Sequence, residues 1–152
     1  MWRLTLFFAL FTAACVPHSG ELVASDTGLT GQFSDQVVIS DHLHHVLLGH
    51  VIVAERNGET ARALVVSQRR DGVHNLRFQE AWSGGVELPF RRAGGMDGCS
   101  HGHCRNAHVG LIFLSAPLFA LAQRHGLHAR LISGTDNVSI FAPATLFHLP
   151  QP

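Results

Sequence analysis

The sequence predicts an α+β fold: an antiparallel sheet of hairpins with one main helix packed on it. Three observations carry that expectation. Asn57-Gly58 and Asp71-Gly72 each separate β-prone runs, and both dipeptides suit two-residue hairpin turns because they tolerate positive φ. Side chains alternate between apolar and polar through much of residues 46–80. Beyond them, residues 108–142 read as a strand, a capped helix and a further hairpin.

The two turns predict a register. Across the first, Ile52 pairs with Ala63 and Ala54 with Ala61; across the second, Val65 pairs with Phe78 and Ser67 with Leu76. One face then collects Leu48, His50, Ile52, Ala54, Ala61, Ala63, Val65, Leu76 and Phe78, and is the expected core face. The other collects Glu55, Thr60, Arg62, Gln68, Asn75, Arg77 and Gln79. Val51, Val53, Leu64 and Val66 interrupt its polarity and suggest partial cover. A fourth strand, Val86 to Arg92, follows the Ser83-Gly84-Gly85 turn, and Pro89 suits an edge position. Sheet is thus expected over about 46–92, 108–114 and 127–142.

Residues 93–107 are rich in glycine and read as a loop, and His108 to Leu114 read as a strand. Ser115 is placed to cap a helix of about 116–125, with Pro117 tolerable in its first turn. Leu118, Leu121 and Ala122 share one face, Gly126 ends the helix, and His125 lies against its negative end. Leu127 to Ser133 and Val138 to Ala142 form a hairpin around residues 134–137, and residues 143–149 a short terminal helix.

The amino terminus has a different character. Met1-Trp2-Arg3 supplies a positive charge, Leu4 to Ala14 is apolar or small apart from two threonines, and small residues lead into Cys15. That order is the layout of a secretory signal, and eleven residues are too few for a membrane span, which needs roughly 20. The expected organisation is a signal at 1–14, a tether rich in Ser, Gly, Thr and Asp at 15–36, and a single domain at 37–152. Without Arg3 the chain carries ten arginines, no lysine and eleven carboxylates, so it has no electrostatic footprint for nucleic acid.

Phe11-Thr12-Ala13-Ala14-Cys15 resembles a bacterial lipobox, with Thr12 where such signals usually carry Leu. The resemblance implies a lipoprotein precursor whose Cys15 is lipidated and anchors the chain to a membrane of the cell envelope, facing the periplasm. Removing Cys15 from the three cysteines leaves Cys99 and Cys104, and an even pair in an oxidising compartment points to a disulfide.

Cys99-Ser100-His101-Gly102-His103-Cys104 concentrates the chemistry of the chain and admits three readings. The first is a Cys99–Cys104 disulfide closing a short loop. The second is a zinc or copper site drawn from Cys99, His101, His103 and Cys104, with His42 or His44 replacing a ligand that cannot reach; His42 and His44 share a face if that segment is a strand. The third rests on a loose likeness of Ser100 to Arg105 to the Ser-x-Gly-Cys-x-Arg motif of L,D-transpeptidases. That likeness implies a cysteine nucleophile, but His103 intrudes before the cysteine and Arg105 follows it directly. C-x-x-C-H, phosphate-binding glycine loops and the G-x-S-x-G elbow are absent from the sequence.

The expectation is therefore a lipid-anchored envelope protein, a non-enzymatic structural or protein-binding module with a disulfide-closed loop and no cofactor. Its partners would be the membrane, through Cys15, and another envelope protein. Zinc or copper binding is the alternative, and a cysteine-nucleophile cell-wall enzyme a third possibility.

Overall fold

The computed structural model describes residues 19–42, 45–69, 77–100 and 103–149. The signal segment, Cys15, His44, the Asp71-Gly72 turn and His101 lie outside them. The described fold is α+β, with two mostly antiparallel sheets and one main helix.

Strands β1 (Gly20–Ala24), β2 (Leu29–Phe33), β3 (Val37–His42), β4 (His45–Arg56) and β5 (Glu59–Arg69) lead the chain. Then come β6 (Glu80–Ser83), β7 (Val86–Leu88), β8 (Phe90–Ser100) and β9 (His103–Phe113). Helix α1 (Ala116–His125), β10 (Leu127–Ser133), β11 (Asp136–Ala142) and a short 3-10 helix (Ala144–Phe147) close it. The large sheet has the order β1-β2-β4-β5-β9-β8 with β3 also on β4, and the small sheet has the order β11-β10-β6-β7.

The first hairpin forms in the expected register. Ile52 faces Ala63 and Ala54 faces Ala61, and the turn residues Asn57 and Gly58 have φ of 53° and 81°. Ser83-Gly84-Gly85 also turns as expected, joining β6 to β7 with both glycines at positive φ.

The second hairpin register is corrected. Val65 faces Leu111 and Ser67 faces Val109, because β9 occupies the edge of β5 that Leu76 and Phe78 were expected to take. Val109 to Phe113 forms a longer apolar strand for a strand buried on both faces: Ala63, Leu64, Val65 and Val66 are all buried. Phe78 still enters the core, but from irregular chain. The expected fourth strand, Val86 to Arg92, divides at Pro89. Val86–Leu88 joins the small sheet and Phe90 opens β8 in the large one. Pro89 has no N–H for a ladder, and its carbonyl accepts from the Phe113 N–H at 2.8 Å.

The core face is also corrected. Leu47, Val51, Leu64, Val66 and Ile112 are wholly buried in the shared core, whereas Leu48, His50 and Ile52 on the other face are half-buried. The polar residues that marked the wrong face sit mostly near the strand ends. Over the middle of β4 and β5 both faces are apolar, and the small sheet covers the face of Val51.

The tether expectation for 15–36 is corrected as well. Residues 20–33 form β1 and β2, and β2 pairs with β4 through Thr30↔Glu55 to Phe33↔Ile52. Gly31 permits that approach, since a Cβ there would lie 2.6 Å from the Val53 carbonyl oxygen. Past Phe33 the edge of β4 passes to β3, whose pairing starts at Val37↔Gly49. Ser34 fills the gap. Its N–H donates to the Val51 carbonyl at 2.9 Å, and its Oγ accepts from the Val51 N–H at 2.8 Å. Buried backbone that no strand reaches is thereby satisfied.

Helix α1 has its expected bounds. Ser115 Oγ accepts from the Leu118 N–H, and the Gly126 N–H donates to the Ala122 carbonyl. Its inward face is rotated from expectation. Phe119 and Ala122 are buried, with Leu118 packed beside them, while Leu121 is 46% exposed. Phe119 meets Phe147 of the 3-10 helix edge-to-face, ring centroids 5.6 Å apart. One apolar core thus unites the two sheets, α1 and the 3-10 helix.

Candidate functional site

The segment read as a loop at 93–107 is strand. Residues 93–100 belong to β8 and 103–107 to β9, and the pair forms a ribbon. The register passes from Ala93↔Val109 to Met96↔Ala107. Two residues of β8, Gly94 and Gly95, therefore oppose one of β9. This is a β-bulge, which bends a ribbon and increases its twist.

Pairing between β5 and β9 runs from Ala63↔Phe113 to Ser67↔Val109, and β5 is described as far as Arg69. The pairs Asp97↔Asn106, Gly98↔Arg105, Cys99↔Cys104 and Ser100↔His103 follow towards the turn end of the ribbon.

Cys99 and Cys104 are direct cross-strand partners in this ribbon. Opposed residues of an antiparallel pair have Cα atoms about 4.5 or 5.5 Å apart, and both separations fall inside the disulfide range of roughly 4.4–6.8 Å. The same pairing bears on the likeness to L,D-transpeptidases, because the residue read as nucleophile has a second cysteine as its nearest cross-strand neighbour.

The histidines of the proposed metal set are distributed by the hairpins. Strand β3 ends at His42, whose cross-strand partner is His45, and His44 lies outside the described residues. His42 and His45 lie at the end of the large sheet where β5 reaches Arg69, which is also the end towards which Cys99 and Cys104 lie. Among the described residues, no group of three or more His, Cys, Asp or Glu is arranged to hold a metal ion. His50, on the half-buried face of β4, has its pKa lowered by burial, which disfavours the charged ring.

A second feature escaped the sequence reading. The outward face of the small sheet carries a groove of about 420 Å³, lined by Trp82, the Ser83-Gly84-Gly85 turn, His128, Arg130, Asn137 and Ser139, among others. Three registers build it. Trp82 faces Glu87 on β7 and Arg130 on β10, and Arg130 faces Ser139 on β11. A single row, Glu87-Trp82-Arg130-Ser139, therefore crosses all four strands. The Trp82 indole N–H donates to Glu80 at 3.0 Å, which fixes the ring. At one end of the groove the His128 ring lies against Phe141, centroids 4.4 Å apart. The signal for this face was in the sequence. Leu127, Ala129 and Leu131 are buried while His128 and Arg130 are exposed, a strict alternation. The pairing of β6 with β10 was not readable there.

Comparison with protein-family models, with curated proteins and with solved structures finds no match.

Proposed function

We propose that this chain is a lipid-anchored protein of the bacterial cell envelope that acts as a non-enzymatic binding module. It presents the β8–β9 ribbon, closed by a Cys99–Cys104 disulfide, to a protein partner. The observation that carries the reading is the register, which makes the two cysteines cross-strand partners near the turn end of the β8–β9 ribbon. A cross-strand bond there would hold the two strands of the ribbon together near their turn. Envelope export, suggested by residues 1–15, supplies the oxidising compartment in which such a bond persists. The anchor would be acylated Cys15.

Intact mass of the protein recovered from a bacterial envelope tests both parts. The expected species starts at an acylated Cys15 and is two hydrogens lighter than the dithiol. Free thiols at both Cys99 and Cys104 in that material would overturn the disulfide, and an unmodified amino terminus would overturn the anchor.

One placement favours a second reading, a zinc or copper site. His42 lies at the end of the large sheet towards which Cys99 and Cys104 also lie. That reading predicts stoichiometric metal in reduced protein, lost when His101 and His103 become Ala. Absence of bound metal across the divalent transition series would end it.

A further inference from the structure

We infer that the groove on the outward face of the small sheet is a saccharide site, and that its ligand is an acidic oligosaccharide of the uronic-acid type. The inference is independent of the ribbon and of the disulfide. Its volume, about 420 Å³, lies within the usual range for small-ligand sites.

Three features select the class. The first is a held aromatic face. Glu80 occupies the Trp82 indole N–H, so the ring is oriented before any ligand arrives and offers its apolar plane to the C–H face of a sugar ring. The second is a charge next to that plane. Arg130 is the direct cross-strand partner of Trp82, is exposed, and makes no ion pair among the described residues. Its guanidinium can receive a carboxylate through two parallel hydrogen bonds. The carboxylate of Glu80 is engaged with Trp82, and Glu87 stands two strands from Arg130, roughly 9–10 Å at sheet spacing. The third is the opposite wall. Ser139 and Asn137 are exposed and carry groups that both donate and accept, as sugar hydroxyls do.

The groove also discriminates against a peptide. It crosses the sheet face, where backbone groups are already paired, and so offers an extended chain no free ladder to join. An acidic peptide would find one arginine, Arg130, in the lining and no free ladder beside it.

Calorimetric titration of the purified protein with tetragalacturonate, maltotetraose and tetraglutamate tests the proposal. Tetragalacturonate should bind saturably, and the other two at least tenfold more weakly. Arg130→Gln should weaken tetragalacturonate binding by tenfold to a hundredfold, the loss expected for hydrogen bonds to a charged group. Trp82→Ala should remove it. If Trp82→Ala does not fold, Arg130→Gln and Ser139→Ala, both at exposed positions, still decide the matter. No binding of tetragalacturonate, or affinity unchanged in Arg130→Gln, would overturn the site. Equal binding of maltotetraose would overturn the acidic ligand, and preferential binding of tetraglutamate would overturn the saccharide.

Discussion

The large sheet contains two long hairpins of nearly equal length with opposite circumstances. The β4–β5 hairpin has strands of 12 and 11 residues, and the β8–β9 hairpin has two of 11. The first reverses through Asn57 and Gly58. It lies in the middle of the sheet, with β2 and β3 sharing one edge and β9 on the other. Its Leu64 and Val66 are wholly buried. The second pairs with β5 on one edge only, bends at Gly94-Gly95 and brings its cysteines opposite one another. What neighbours a hairpin decides whether both of its strands lie in the middle of the sheet or one of them forms its edge.

Leu64→Ala should break the central hairpin and give the largest effect. A wholly buried leucine in the shared core costs about 2–5 kcal/mol when truncated, read as a lowered denaturation midpoint. Ser34→Ala should cost about 1–3 kcal/mol, because the Val51 N–H loses its acceptor at the gap between β2 and β3. The ribbon should respond differently. Replacing both Cys99 and Cys104 by Ser should lower global stability by no more than about 2 kcal/mol, the entropy-model value for so short a loop. Its main effect should be local. Amides of 97–106 should exchange faster in the variant, while those of 62–66 keep their protection. Slow exchange across both hairpins in the variant would show that the ribbon needs no crosslink.

The smallest expected effect concerns His50 on the half-buried face of β4. Burial lowers its pKa below the ordinary 6.5, so the unfolded chain binds the proton more readily than the folded one. Its contribution is neutral above that value and destabilising as pH falls through the window beneath it. His50→Gln should therefore flatten the loss of stability below about pH 6.5, measured by denaturant melts across that range. An unchanged slope would show that His50 is solvated in the folded protein.

Local signals survived into the structure. Asn57-Gly58 specified its turn and, through the period of two, the register of β4 on β5. Ser115, Pro117 and Gly126 bounded α1 to the residue, because capping is settled within one helical turn. The hairpin of residues 127–142 was legible too, although its turn is the shorter Gly134-Thr135. Choices between neighbours did not survive. Phe78 and Leu76 were plausible partners for β5, and so was β9; β9 adjoins β5 although it lies some forty residues further along the chain. The face of β4 that became core could not be read, because apolar residues occupy both faces of its middle and the covering sheet is built from distant segments. Glycine in residues 93–107 suggested a loop, whereas Gly94-Gly95 forms a bulge within a paired ribbon.

The candidate sites divide in the same way. The sequence grouped Cys99 and Cys104 by their separation and by the lipobox-like Cys15, and the ribbon's register added that they are opposed. The row Glu87-Trp82-Arg130-Ser139 had no such local trace, since it draws on four strands spread over residues 80–142. Turns, caps and alternation are properties of a few adjacent residues and are written in their order. Which strands become neighbours depends on competition among distant apolar faces for burial, and that competition is settled only when the whole chain folds.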